Sequence, residues 1–255
     1  MNIVVFIKQT FDTEAKIVLD ASGKIDANGV NLIINPYDEY AIEEGIRLKE
    51  KHGGEVTVVS MGGSRAQEAV RTALAMGADK GVLVSDPGLE NTDEFGRAQI
   101  LAKVVADIPH DVILAGRIAI DDGASQIAVR LAEALSIPSV SSVIKLEVAG
   151  TQATATREID GGTELIEVSF PAVFTAQKGL NDPRYPSVAG IMKAKKKPLK
   201  SLTLADLGFG AGDLKMVINQ YSLPTPRKAG RKIDGEPAQA ASELAKLLRE
   251  EAKVL

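Results

Sequence analysis

Three stretches of this 255-residue chain carry residue types that could form a ligand site, and one of them could hold phosphate. They are Asn35-Pro36-Tyr37-Asp38, Met61-Gly62-Gly63-Ser64, and Gly116-Arg117-Ile118-Ala119-Ile120-Asp121-Asp122-Gly123-Ala124-Ser125-Gln126. The third is the richest. It leaves a predicted strand, passes Gly123, and opens a predicted helix with Ala124, Ser125 and Gln126 in the first turn. Free backbone N–H groups at a helix start bind anionic oxygens, and the Ser125 hydroxyl adds a donor. Arg117 supplies charge for a ligand or pairs with Asp121 and Asp122. Those two carboxylates are adjacent and diverge on regular backbone, so they read as cap and turn residues rather than an acid–base pair.

The chemistry stops at binding. Gly62-Gly63 lacks the spacing of a dinucleotide fingerprint, and no Walker A sequence occurs. There is no Ser-His-Asp set, nucleophile elbow or metal-ligand cluster. The chain has no cysteine, which excludes disulfides, thiolate catalysis, iron–sulfur ligation and zinc–thiolate sites. Its two histidines, His52 and His110, lie beside a predicted helix end and a predicted strand start, away from any acid and nucleophile. A net charge of −4 argues against general nucleic-acid binding. No apolar run approaches a membrane span, and the N-terminal residues enter a strand without a signal-peptide plan. The expected setting is cytoplasmic.

A different kind of chemistry, surface recognition, is written into residues 181–198. Pro183 and Pro186 stiffen a turn that contains Arg184 and Tyr185. An apolar stretch with Val188, Ile191 and Met192 follows, and Lys193, Lys195, Lys196 and Lys197 close the segment. Proline removes ladder donors, so this is no central strand. Burying the lysines unpaired costs too much, so the segment reads as an exposed docking surface or a solvated basic loop, its lysines either steering acidic partners or supporting the loop's base.

The elements that must position these residues alternate strand and helix. Strands are predicted at 3–7, 55–60, 81–84 and 111–115, and helices from Asn35-Pro36 onward, at 64–76, 93–106 and 122–135. Asn35 has the N-cap position, Pro36 the first helical position, and Asp38 and Glu39 the acidic first turn. Glu43 pairs with Arg47 one turn on. A repeated βα order demands a parallel sheet with right-handed crossovers, whose C-terminal edge gathers the three loops. Residues 16–33 read as a hairpin excursion. After Pro138 the rhythm changes: strands at 143–148, 153–159, 164–169 and 172–176, with a hairpin turn at Asp160-Gly161-Gly162, are expected to be antiparallel. Residues 202–221 have little periodicity, 227–232 are basic, and a helix at 237–254 carries Ala241, Leu244, Leu248 and Leu255 on one face. The expected organisation is an α/β domain over 1–200 and a partner-wrapping arm with a helix over 201–255.

Residues 35–51 (NPYDEYAIEEGIRLKEK), 72–79 (TALAMGAD), 116–126 and 180–198 together resemble the beta subunit of electron transfer flavoprotein, and the resemblance spans nearly the whole chain. It implies an adenine-nucleotide-binding fold of the alpha-hydrolase-like type, with a mostly parallel sheet and helices on both faces. It also implies a heterodimer whose alpha subunit holds most of the redox FAD, while the beta subunit seats the FAD domain and buries a structural AMP. Carried over, the AMP contacts fall on Phe6, Lys8, Asn35, Pro36, Tyr37, Asp38, Met61, Gly62 and residues 116–127, ending at Ile127. The family's docking loop inserts an apolar side chain, often leucine, into acyl-CoA dehydrogenases of fatty acid oxidation, and electrons leave to a membrane quinone reductase. Here the anchor position is Val188, one methylene smaller, a difference of about 0.8 kcal/mol if fully buried. The loop at 121–128 also departs from the Gly-Asp-Thr pattern of electron-bifurcating relatives, which bind a second FAD and accept electrons from NADH. That departure points to AMP, while Gly123 leaves room for a diphosphate. A free-standing nucleotide sensor or an ATP-pyrophosphatase is the competing class; Lys8-Gln9-Thr10-Phe11 after the first strand is not the latter's Ser-Gly-Gly-x-Asp-Ser loop.

Overall fold

The computed structural model describes residues 1–210, 213, 215–227 and 229–255. The sequence readings at 211, 212, 214 and 228 lie outside the described residues.

The chain opens with β1 (Asn2–Ile7), buried from Ile3 onward. Ile3, Val5 and Ile7 enter one core cluster, and Val4 and Phe6 enter another on the opposite face. Such a strand must be covered on both sides, which is why its sequence is a continuous apolar run. The excursion that follows is closed by β2 (Gln9–Phe11) pairing antiparallel with β3 (Leu32–Ile34). Helix α1 (Pro36–His52) has Pro36 at its first position and ends at Gly53, whose φ of 72° suits only glycine without strain. Then come β4 (Glu55–Met61), α2 (Ala66–Met76), β5 (Lys80–Val84), α3 (Glu94–Ala106), β6 (Val112–Gly116) and α4 (Ile127–Leu135). The Asp93 carboxylate caps α3 by accepting the Gly96 N–H at 2.7 Å.

The second part contains β7 (Ser139–Ala149), β8 (Gln152–Ile159), β9 (Gly162–Ser169), β10 (Ala172–Ala176), α5 (Val188–Ala194), β11 (Leu199–Leu202) and α6 (Pro237–Glu250). Nine strands form one sheet in the order β11-β5-β4-β1-β6-β10-β7-β8-β9. Helices α1 and α2 cover the face of Ile3, Val5 and Phe174; α3 and α4 cover the face of Val4, Phe6 and Val173. The fold is the expected α/β class.

Two expectations are corrected. The strand at 172–176 is not antiparallel: β10 sits inside the sheet, parallel to both β6 and β7. All five of its residues are buried, the mark of a strand covered on both faces, whereas β8 and β9 alternate and lie at the antiparallel edge. The segment at 181–198, read as an exposed turn followed by an apolar stretch, contains a helix. Ser187 caps α5 by accepting the Gly190 N–H at 3.0 Å, and one short helix carries the apolar residues.

Helix α6 buries none of its residues. Val217, Leu223, Leu244, Val254 and Leu255 are exposed along the same C-terminal stretch. Among the described residues, no helix is long and apolar enough to cross a membrane.

Candidate functional site

The strand order reverses between β1 and β6: β4 and β5 extend the sheet one way, β6 and β10 the other. Ligands of open α/β sheets bind in the crevice at such a point, beyond the carboxyl ends of the strands. A cavity of about 290 Å³ lies there, lined by the ends of β1, β4 and β6 and by the loop that enters α4. That volume is near the small end for ligand sites. Phe6, Leu101, Ile127 and Leu131 supply apolar wall; Lys8, Asn35, Asp38, Arg97 and Arg117 supply polar groups.

Asp38 and Asn35 tie the three loops together. Asp38 Oδ2 accepts the Lys8 N–H at 2.7 Å, and Oδ1 accepts the Gly116 N–H and Asn35 Nδ2, both at 3.0 Å. Burial pushes this carboxyl up to about 7, against the three hydrogen bonds and the Lys8 charge, which favour the ionised form. Asn35 Nδ2 also donates to Ile118 O at 2.9 Å, and Asn35 Oδ1 accepts the Ile120 N–H at 3.2 Å. Asn35 therefore occupies the N-cap position of α1 without using its side chain as a cap. The pull of the neighbouring loop outweighs local capping. Gly116 is required by close approach: a Cβ there would collide with Asp38 Oδ1 and press on Tyr37.

At the rim, Lys8 Nζ donates to Asp121 Oδ1 at 2.8 Å and to Asp122 Oδ2 at 2.7 Å. Partly exposed ion pairs of this kind contribute only about 0.2–1 kcal/mol, so their effect is to shape the loop rather than to stabilise the fold. Asp122 Oδ1 accepts the Ala124 N–H at 3.0 Å. Partial burial pushes the Asp122 carboxyl up, but the Ala124 N–H and Lys8 outweigh it and hold it below its usual value. The Gly123 N–H returns to Ala119 O at 3.0 Å.

The helix start predicted at 122 is corrected to Ile127. Gly123 has φ 66° and Ser125 φ 52°, both left-handed, so residues 124–126 precede the helix instead of forming its first turn. A left-handed serine is an uncommon backbone state held by its surroundings. The residues at the helix start, Gln126, Ile127 and Ala128, still line the cavity.

Of the residues singled out in the sequence, Phe6, Lys8, Asn35, Asp38, Met61, Gly62, Gly116, Arg117, Ile118, Ala119, Asp122, Ala124, Ser125, Gln126 and Ile127 line the cavity. Pro36, Tyr37, Ile120, Asp121 and Gly123 are not part of its wall; Tyr37 packs beside Gly116 and Asp121 holds Lys8. Arg117 lines the cavity, and its Nε is buried with no hydrogen-bond partner among the described residues. Arg97, one turn into α3, lines the cavity with its Nε on Thr92 Oγ1 at 3.3 Å. Sequence reasoning missed Arg97. The only available signal was its place near the N-terminal end of a helix that starts at the ligand-binding edge of the sheet.

The second sequence-predicted site divides in two. Tyr185, Val188, Ile191, Met192, Lys193, Lys195 and Lys196 are exposed, with Val188 at 81% and Tyr185 at 94%. Arg184 and Lys197 instead face inward. The Arg184 guanidinium reaches Glu43 and Glu50 at 2.6–3.0 Å, and Lys197 Nζ donates to Leu74 O and Ala78 O.

The family model described as "Electron transfer flavoprotein domain" matches residues 22–207. The chain is 50% identical over 258 residues to the electron transfer flavoprotein subunit beta of Bacillus subtilis, covering 100% of both. It is 49% identical to the protein of the same name from Syntrophomonas wolfei, covering 100% of this chain and 98% of that one. It is 38% identical to the Mus musculus subunit beta, with 92% and 93% covered. With a crevice at the sheet's switch point and relatives matched over the full chain, the chain belongs to the electron transfer flavoprotein family, among its beta subunits, and its role is electron transfer.

Proposed function

We propose that this chain is the beta subunit of a non-bifurcating electron carrier, paired with an alpha subunit that holds most of the FAD. The chain itself performs no bond chemistry. Its cavity takes one AMP as a structural ligand, its residues 1–200 seat the partner's FAD domain, and residues 201–255 wrap the alpha subunit. A flavin dehydrogenase of the acyl-CoA type docks on α5, and a quinone oxidoreductase accepts the electrons.

The observation that carries this reading is the cavity. Its volume of about 290 Å³ suits one nucleotide better than a dinucleotide. Arg97 and Arg117, which line the cavity, and the residues entering α4 supply the donor types a phosphate needs. Phe6, Leu101 and Leu131 offer the flat apolar surroundings that suit a base. Bound AMP supplies no redox chemistry; it fills the crevice and fixes the loops around it.

A second reading, FAD in this chain with electrons from NADH, has one feature in its favour. No atom lies within 4 Å of where a Cβ on Gly123 would point, so the rim is open there.

The docking part is tested by Val188→Asp in the heterodimer. Transfer from the dehydrogenase slows while flavin and nucleotide content stay intact. An unchanged rate contradicts the docking role.

A further inference from the structure

The helix that carries the exposed anchor is tethered at both ends to the sheet-covering helices. On its N-terminal side, Arg184 clasps two carboxylates of α1. Nε and Nη2 bond the Glu43 oxygens at 2.8 and 3.0 Å, and Nη1 and Nη2 bond the Glu50 oxygens at 2.6 and 3.0 Å. The Arg184 N–H also donates to Glu43 Oε2 at 3.1 Å. Three residues earlier, Asn181 Nδ2 bonds Tyr40 O and Glu44 Oε2, both at 3.0 Å. Glu43 is 2% exposed. Its burial pushes the carboxyl up, but the Arg184 bonds outweigh that and hold it ionised below its usual range.

On the C-terminal side, Arg71 of α2 donates to Ala194 O at 2.7 Å and Lys197 O at 3.0 Å. Lys197 Nζ answers by donating to Leu74 O, in the last turn of α2, and to Ala78 O just beyond it. Between the tethers the backbones nearly touch: a Cβ on Gly190 would run into Ala75 O. The result is a short helix gripped from beneath, with Val188 and Met192 left 81% and 61% exposed. A helix of this length has no stability of its own in water. Its conformation is therefore imposed by these contacts.

We infer that Arg184, with Glu43 and Glu50, and Lys197, with Arg71, are positioning residues for electron transfer: they hold α5 ordered before a donor arrives, and do not themselves touch the donor. This rests on the reading of α5 as the donor's docking element. Ordering a loop in advance removes a cost that otherwise falls on binding, so loss of a tether weakens encounter and leaves the electron-transfer step itself alone. Among the lysines of the segment, Lys193, Lys195 and Lys196 remain outward and steer; Lys197 holds.

The test uses the FAD-loaded heterodimer and a medium-chain acyl-CoA dehydrogenase reduced by octanoyl-CoA, with the heterodimer as the varied substrate. Arg184→Ala raises KM about tenfold, the effect of one or two side chains ordered only on docking, and changes kcat less than twofold. Hydrogen exchange of the free heterodimer shows the α5 amides opening faster, with FAD content unchanged. Arg184→Lys, which keeps one ion pair, restores KM and exchange in part. Wild-type KM in Arg184→Ala, or wild-type exchange of α5, overturns the inference. A parallel fall of kcat with unchanged KM also overturns it, because the residue would then act on transfer rather than on docking. Val188→Asp in the same assay separates the two levels. If it raises KM and Arg184→Ala does not, only the inference fails; if it has no effect, the docking reading fails and the inference falls with it.

Discussion

Asp38 Oδ1 accepts the Gly116 N–H at 3.0 Å, joining two residues 78 apart in the chain that both line the crevice. Gly116 comes this close because it has no Cβ; an added methyl would meet that oxygen and the Tyr37 side chain. The contact sets how far β6 and α1 stand apart, and so the width of the proposed nucleotide seat. Gly116→Ala forces the two apart at a cost of about 1–3 kcal/mol, the usual range for overpacking. The denaturation midpoint falls, and the heterodimer is purified with less nucleotide but its FAD retained. Nucleotide at the wild-type level would show that this contact does not shape the seat.

The same carboxyl gives a pH signature. Its folded value of about 7 lies above the 3.8 of an unperturbed aspartate, so the folded state holds the proton more tightly. The contribution of Asp38 to stability is therefore complete below about pH 4, is lost as pH rises toward 7, and is flat above, with a total of on the order of 4 kcal/mol. Burial also raises Glu39 and Glu44, and they slope the same way. The readout is thus the difference between wild type and Asp38→Asn. Relative to wild type, the variant gains stability between pH 4 and 7. Its amide also turns one donor toward backbone N–H groups, but that loss is the same at every pH. Parallel stability curves for the two proteins across this window would contradict the assignment.

Arg97 and Arg117 are the cations best placed for a phosphate in the crevice. Arg97→Ala removes a charge-assisted donor worth about 1.5–3 kcal/mol, which corresponds to roughly ten- to hundredfold weaker AMP retention. Equilibrium dialysis of the heterodimer against AMP reads this directly. The alpha subunit's flavin spectrum stays as in wild type.

The exposed apolar side chains between Val217 and Leu255, with α6 burying nothing, have the composition of an element that awaits a partner. Deleting residues 211–255 leaves a chain that unfolds in one cooperative transition near the wild-type midpoint, because both core clusters lie within residues 1–209. It no longer co-purifies with the alpha subunit. Retained heterodimer on size exclusion would show that the arm is dispensable for assembly.

Local patterns foretold much of this molecule, and long-range partners account for what they missed. The apolar run at 3–7, the Asn35-Pro36 helix start and the gathering of three loops at one sheet edge were all legible, because each rests on periodicity, caps or topology rules. The helix expected at 122 begins at 127, since the left-handed turn at Gly123 and Ser125 is stabilised by Lys8, more than 110 residues away. A central place for β10 could not be read from order along the chain, although four of its five residues are apolar, which was a clue. The sequence places Arg184 in the docking surface and leaves Lys197 either steering or supporting the loop, because Glu43, Glu50, Leu74 and Ala78, which bind them, are brought close only by folding.

The central claim is that this chain holds one AMP and leaves the redox flavin to its partner. Its most direct test is to denature the co-purified heterodimer and quantify the released ligands by chromatography and mass. The account predicts one FAD and one AMP per heterodimer, with no reduction of the flavin by NADH. Two FAD per heterodimer with no AMP, together with bleaching of the flavin by NADH, would contradict it.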